Sequence, residues 1–105
     1  MSEFIVKTFA VAVDGFGAMT YVAKSRGQAL AKSWGDYSAY RQVSFKDFLR
    51  IARAWRTAPP AGFGRPITVS GKPAFWVSQN SQYVQFVFPI GEVILNSHPL
   101  DVVIQ

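Results

Sequence analysis

The chain contains no cysteine and only one histidine among its 105 residues. Without cysteine there is no disulfide framework, no thiolate zinc site and no cysteine nucleophile. A single histidine excludes most histidine-rich metal sites and any two-histidine relay within one chain. We therefore expect no metal and no other cofactor.

Long apolar runs are also missing. Nowhere do 18 consecutive apolar residues occur, so the sequence predicts no membrane-spanning helix. The amino terminus lacks the basic start and the long apolar core of a secretory signal. These features favour a cytoplasmic protein with no membrane partner.

Charged residues are scarce, at 16%, whereas apolar residues make up 50% of the chain and aromatic residues 15%. This composition predicts a folded globular protein, because a disordered chain is less apolar and more charged. A mass of 11.6 kDa suffices for one two-layer core. We therefore expect a single domain over residues 1–105.

The amino-terminal half predicts a hairpin followed by a helix. Residues 4–13 and 18–24 are typical of strands, and Asp14-Gly15 supplies a turn between them. Ser25-Arg26-Gly27-Gln28 is a capping box, which predicts a helix from Arg26 to about Tyr40. Its buried stripe would consist of Leu30, Trp34 and Tyr37. Gly35 interrupts this pattern, either by ending the regular helix early or by allowing another element to pack closely.

A second capping pattern at Ser44 predicts a second helix. Its apolar stripe would consist of Phe45, Phe48, Leu49, Ala52 and Trp55, and its basic stripe of Lys46, Arg50 and Arg53. Residues 50–56 also alternate in polarity, as in a strand. The alternative is therefore a short helix that passes into an extended segment.

Residues 57–66 contain three prolines and two glycines, which predicts a loop. Five short apolar runs follow, over residues 67–69, 74–79, 82–88, 92–96 and 101–104. Their close spacing favours an antiparallel meander, since parallel crossovers need longer connections. The expected fold class is α+β: an amino-terminal β-hairpin, one or two helices, and a carboxy-terminal antiparallel β-meander.

Catalytic groupings are absent from the sequence. His98 precedes Pro99 in a predicted turn, where a hydrogen-bonded structural role is more frequent than a role as a base. The six carboxylates are scattered, and no pair has a spacing that indicates a shared acid/base or metal site. We therefore expect a protein that is not an enzyme and has no catalytic residues.

Positive charge is concentrated between Arg41 and Lys72, where seven basic residues accompany one acid. Phe63 lies between two glycines in the loop and either folds back onto the core or projects as an anchor. The candidate residues for binding an anion or a partner are Arg41, Lys46, Arg50, Arg53, Arg56, Phe63 and Arg65. We expect a non-enzymatic protein-interaction module with a protein partner. The alternative is a module that binds nucleic acid through the basic segment, with exposed aromatic rings for stacking.

The segment from residue 4 to residue 56 resembles small uncharacterised proteins carried by bacteriophages and prophages. The resemblance is carried by the hairpin, by Ser25-Arg26-Gly27-Gln28-Ala29 and by Ser44-Phe45-Lys46-Asp47-Phe48-Leu49 with its basic tail. It implies an accessory protein of a mobile element, for which the usual roles are virion assembly, host takeover and inhibition of a host defence nuclease. It implies no catalytic or binding residues.

The sheet edges predict self-association. Residues 101–104 and 67–69 are rich in β-branched side chains and carry few of the charges that normally block edge pairing. Either edge could pair with its copy across a two-fold axis, which favours a homodimer over a monomer.

Overall fold

The computed structural model describes residues 4–105, which adopt an α+β fold. Eight strands form two antiparallel sheets, accompanied by two α-helices and one 3₁₀ helix. The elements in chain order are β1 (Lys7–Val13), β2 (Gly17–Ala23), α1 (Arg26–Ser38), α2 (Phe45–Phe48), β3 (Ala52–Arg56), β4 (Pro66–Val69), β5 (Lys72–Gln79), β6 (Val84–Val87), β7 (Leu95–Ser97), the 3₁₀ helix (Pro99–Asp101) and β8 (Val102–Ile104).

These elements belong to two compact units. The amino-terminal unit is Val6–Ala58, and the carboxy-terminal unit comprises residues 4–5 together with Pro59–Gln105. Within residues 4–105, no helix is long and apolar enough to cross a membrane. The single-domain organisation expected from the length stays a prediction.

The amino-terminal unit is built around β1, which pairs with β2 on one side and with β3 on the other. Val11 lies opposite Met19 in β2 and opposite Ala54 in β3. The β1–β2 hairpin is confirmed: the Phe16 amide donates to the Val13 carbonyl at 3.0 Å across its turn. Gly15 has a φ of 75°, a conformation that glycine adopts without the steric cost of a Cβ.

Helix α1 begins where the capping box predicts. The Ser25 hydroxyl accepts from the Gln28 amide at 3.1 Å, and the Gln28 side chain accepts from the Lys24 amide at 2.6 Å. These bonds satisfy amides that have no partner within the helix. The helix ends at Ser38, slightly before the predicted end.

The long second helix is wrong, and the alternative of a short helix followed by an extended segment is confirmed. The Ser44 hydroxyl caps α2 by accepting from the Asp47 amide at 3.1 Å, but the helix contains only Phe45–Phe48. The chain turns through residues 49–51 and enters β3. The proposed apolar stripe therefore does not exist, and Trp55 is 48% exposed rather than in the core. The pairing of β3 with β1 outweighs the helical propensity of this segment.

The core of the amino-terminal unit lies between the sheet and the two helices. Its buried members are Phe9, Val11, Val13, Ala23, Ala29, Tyr37 and Phe48. Phe48 is completely buried, and its ring packs against that of Tyr37 with centroids 5.6 Å apart. Trp34 is half-buried at the edge of this core, and its indole N–H donates to the Val43 carbonyl at 2.9 Å.

Phe48 and its neighbour Leu49 provide a paired test of where α2 ends. Phe48→Ala should lower the free energy of unfolding by about 3–5 kcal/mol, because it removes a fully buried ring. Leu49→Ala should cost less than about 1 kcal/mol, because Leu49 is exposed. Chemical denaturation followed by tryptophan fluorescence measures both. Equal losses for the two variants would contradict the short helix.

In the carboxy-terminal unit, β4 to β7 form the predicted antiparallel meander, and β8 returns to pair with β4. The strand order is β7-β6-β5-β4-β8. Thr68 therefore lies opposite Pro73 on one side and Val103 on the other. The assignment of residues 67–69 to a sheet edge is wrong, because β8 covers that strand. Residues 102–104 do form an edge, and a homodimer through them stays a prediction.

The connection from β7 to β8 curls this sheet. Four spacings of about 4.8 Å would separate its edge strands by roughly 19 Å if the sheet were flat. Five extended residue steps reach at most about 17 Å, and the intervening 3₁₀ helix shortens that reach. His98 caps this helix, its Nδ1 accepting from the Leu100 amide at 3.1 Å. This bond confirms the structural role expected for the histidine.

The carboxy-terminal unit has a core of its own, and the loop before β4 is hydrogen-bonded to β5. The buried members of this core are Ile67, Val69, Ala74 and Phe86. In the loop, the Gly64 amide donates to the Trp76 carbonyl at 2.8 Å. Gly64 has a φ of 83°, and a Cβ at this position would lie 2.8 Å from the Phe4 ring. Only glycine allows the ring to pack so closely.

Gly64 and Gly71 have similar φ angles but different surroundings, so they separate backbone strain from steric clash. Gly71 has a φ of 81°, and an added Cβ would meet nothing within 4 Å. Gly71→Ala should therefore cost only the strain of a positive φ, about 1 kcal/mol. Gly64→Ala should cost more, because the Phe4 ring must also move. Thermal unfolding of both variants measures the difference, and equal losses would contradict the packing of Phe4.

Candidate docking groove

The basic residues predicted to bind a partner do not form one helical face. Lys46 lies in α2, Arg50 lies in the following turn, and Arg53 lies in β3, so the shared face predicted for these three is wrong. The three side chains do not share a face because α2 ends at Phe48. After the following turn, side chains alternate between the two faces of a strand instead of following a helical stripe. Arg41 is exposed in the bend after α1, and Arg65 belongs to the carboxy-terminal unit.

Strand β3 separates its two arginines onto opposite faces of the sheet. Arg56 lies opposite Phe9, on the face that carries the helices, and its guanidinium is 5.7 Å from the centroid of the Phe9 ring. Arg53 and Trp55 lie opposite Ala12 and Ala10, on the other face. An exposed indole next to an arginine is therefore the main feature of this part of the basic segment.

Phe63 folds back onto the carboxy-terminal unit, the first of its two expected roles. Its half-buried ring packs edge-on against the Phe4 ring, with centroids 4.9 Å apart. Phe4 also contacts Phe75, at 5.3 Å. This contact holds Phe63 within its own unit.

Among residues 4–105, no group of three histidine, aspartate or glutamate side chains has a geometry that could hold a metal ion. The Nδ1 atom of His98 is engaged as a cap, as described above.

A surface groove of about 290 Å³ lies in the amino-terminal unit, where the β1–β2 hairpin meets the carboxy-terminal end of α1. The residues that line it are Phe16, Met19, Gly35, Asp36, Ala39 and Tyr40. We call this feature the docking groove. Its apolar side chains are unusually open to solvent: Tyr40 is 80% exposed, Met19 51% and Phe16 44%.

The hairpin and the helix hold the aromatic wall of the docking groove in place. Phe16 is held between two tyrosines of α1 and the following turn, its ring centroid 5.2 Å from Tyr37 and 5.6 Å from Tyr40. Tyr37 is buried in the core, so it anchors Phe16 from beneath. Phe16 is therefore fixed by ring contacts within the fold.

The polar side of the docking groove is fixed by one hydrogen bond. The Tyr21 hydroxyl of β2 donates to Asp36 Oδ2 of α1 at 2.8 Å. Burial, and then this hydrogen bond, raise the pKa of Tyr21 above its ordinary value. The bond ties the sheet to the helix and orients the carboxylate at the groove.

Gly35 gives the docking groove its depth. Glycine within a helix costs about 1 kcal/mol relative to alanine, yet a Cβ at Gly35 would meet nothing within 4 Å. The fold therefore does not require glycine at this position. What the glycine does provide is open space beside the Phe16 and Tyr40 rings.

Sequence reasoning missed this groove because its residues come from two separated segments. The sequence indicates only a turn at Asp14-Gly15, and at Gly35 only a helix interruption or a close contact. A large aromatic residue at a hairpin turn and a glycine inside a helix were the available signals. Only the fold brings them together.

Comparison with known proteins adds no relative: no family model, no curated protein and no solved structure matches this chain.

Gly35→Ala tests whether the glycine serves the fold. We expect the variant to be more stable than the wild type by about 0.5–1 kcal/mol, because alanine is the better helix former and its methyl group meets open space. Urea denaturation measures the change. A loss of stability would show that the fold needs glycine here.

The raised pKa of Tyr21 predicts that the free energy of unfolding changes with pH in the alkaline range. Its raised pKa means that the unfolded chain loses the Tyr21 proton first as the pH rises above about 10. The free energy of unfolding should therefore fall more steeply above pH 10 in the wild type than in Tyr21→Phe. The other tyrosines are present in both proteins and cancel in the comparison. Parallel pH profiles would contradict the assignment.

Proposed function

We propose that the protein is a non-enzymatic protein-interaction module that docks a partner in the docking groove. The observation that carries this proposal is the exposure of Phe16, Met19 and Tyr40 around one concave surface. Contiguous exposed apolar side chains are typical of interaction sites, since a chain without a partner gains by burying them.

The size of the docking groove supports a partner side chain as the occupant. Pockets for small ligands and cofactors occupy about 300–1,000 Å³ and enclose most of the ligand. A volume of about 290 Å³, open to solvent, lies at the lower limit of that range. One anchoring side chain in a central pocket is the usual arrangement at protein interfaces.

The glycine at position 35 of helix α1 supports the same proposal. Gly35 lowers the intrinsic stability of α1, and no contact within the described fold accounts for it. Stability given up at a surface position is common where a function needs that surface. An accessory protein of a bacteriophage or prophage, the role that the sequence resemblance implies, would use such a surface to bind a host factor.

The test is affinity capture from a bacterial lysate with the wild type and two leucine variants. Gly35→Leu places a large side chain in the docking groove, whereas Gly27→Leu makes the same change in the first turn of α1, where a Cβ meets only Ser25 Oγ at 3.9 Å. A true partner should be recovered at least tenfold less with Gly35→Leu, equivalent to about 1.4 kcal/mol. Recovery with Gly27→Leu should be unchanged. Proteins recovered equally with all three baits would contradict the proposal.

A second candidate function is nucleic-acid binding through β3. The observation that favours it is Trp55, which is 48% exposed and lies on the same sheet face as Arg53. Bases stack on exposed aromatic rings, and arginine contacts the phosphates. In the same capture experiment, this function predicts salt-sensitive recovery of nucleic acid that is lost with Trp55→Ala and retained with Gly35→Leu.

A further inference from the structure

We infer that the docking groove binds an arginine side chain of the partner protein. This inference rests on the proposed function and specifies the chemistry of its occupant. Three features of the groove support it: the Asp36 carboxylate, the Phe16 and Tyr40 rings, and the apolar remainder of the lining.

Asp36 is the charged group. It lines the docking groove, and its Oδ2 accepts the Tyr21 hydroxyl at 2.8 Å. This bond leaves the other carboxylate oxygen available to a donor from outside the fold. A purely apolar occupant would remove water from the carboxylate without replacing its hydrogen bonds, which is unfavourable. An occupant that donates to the carboxylate offsets this cost, and a cationic donor forms the strongest such bond.

The aromatic wall favours the same charge. The rings of Phe16 and Tyr40 lie beside Asp36 in the groove lining, with centroids 5.6 Å apart and planes tilted by 50°. The face of an aromatic ring carries negative potential and attracts a cation placed within about 6 Å of its centroid. A cation in the groove would thus be attracted both by the carboxylate and by the exposed Tyr40 ring, which line the same surface.

Arginine fits this combination better than lysine. Its planar guanidinium stacks on aromatic rings and donates two parallel hydrogen bonds to a carboxylate, whereas the lysine ammonium is a compact and strongly hydrated point charge. Met19 and Ala39 form the apolar part of the lining, and Gly35 leaves open space beside its backbone. These features suit the methylene groups of the arginine stem.

The surroundings specify the partner further. The whole chain has a net charge of +5, and Arg41 follows Tyr40 directly in the sequence. A uniformly basic partner would be repelled at long range. The partner that fits is one that presents a single arginine from an otherwise acidic or neutral surface.

The test begins with a random heptapeptide library displayed on phage and selected on the wild-type protein. Enriched peptides should contain arginine. Each is then synthesised with arginine and with citrulline, which has the same shape but no charge. Replacing arginine by citrulline should weaken binding to the wild type about tenfold, the size expected for loss of a charge-assisted bidentate pair.

Variants locate the effect. Asp36→Asn keeps an acceptor for Tyr21 but removes the charge, so it should weaken the arginine peptides about tenfold and abolish their advantage over the citrulline forms. Asp14→Asn removes an exposed carboxylate of the hairpin turn that is not part of the groove lining, and binding should stay within twofold.

The outcomes separate the two proposals. Enriched peptides that lack arginine, bind Asp36→Asn as tightly as the wild type and lose affinity for Gly35→Leu would overturn the inference and leave the docking groove as an interaction site. If no selected peptide is sensitive to Gly35→Leu, both the inference and the proposed function are wrong.

Discussion

The amino-terminal unit depends on one constraint: strand β1 must have a partner on each side. Its side chains form the floor of the core, with Phe9, Val11 and Val13 buried beneath the helices. A buried strand leaves no water to satisfy its backbone groups, so both edges must pair with other strands. Strand β2 supplies one edge through a tight hairpin, and β3 supplies the other.

The pairing of β3 with the second edge of β1 determines the structure of residues 45–56. Because residues 52–56 pair with β1 as a strand, α2 ends after one turn, and Trp55 and Arg53 lie on an exposed face of the sheet. The basic residues are therefore distributed over a bend, a helix, a turn and a strand. Helix α1 lies over the sheet with its carboxy-terminal end at the hairpin turn. The docking groove is formed there, between the hairpin residues Phe16 and Met19 and the helix surface at Gly35, which has no side chain.

Local features of this fold could be predicted from the sequence, whereas non-local pairing could not. The hairpin turn and both helix starts follow from residues within four positions of one another, and Ser25 and Ser44 cap as expected. The end of α2 does not, because residues 52–56 fit a helix and a strand equally well until β1 is present. Strand β4 is interior for the same reason: β8, more than thirty residues later, covers it. The docking groove combines residues 16–19 with residues 35–40, and no local pattern links those segments.

The central claim, that partners bind at the docking groove, can be tested directly through Met19. The chain has two methionines, so a sample labelled with ¹³C at the methionine methyl groups gives two signals, and Met19→Leu identifies the one from the groove. On titration with an arginine heptapeptide selected on the wild-type protein, the account predicts that the Met19 signal shifts in proportion to occupancy. The same titration should leave it unmoved in Gly35→Leu. A peptide that binds while the Met19 signal stays in place would contradict the account.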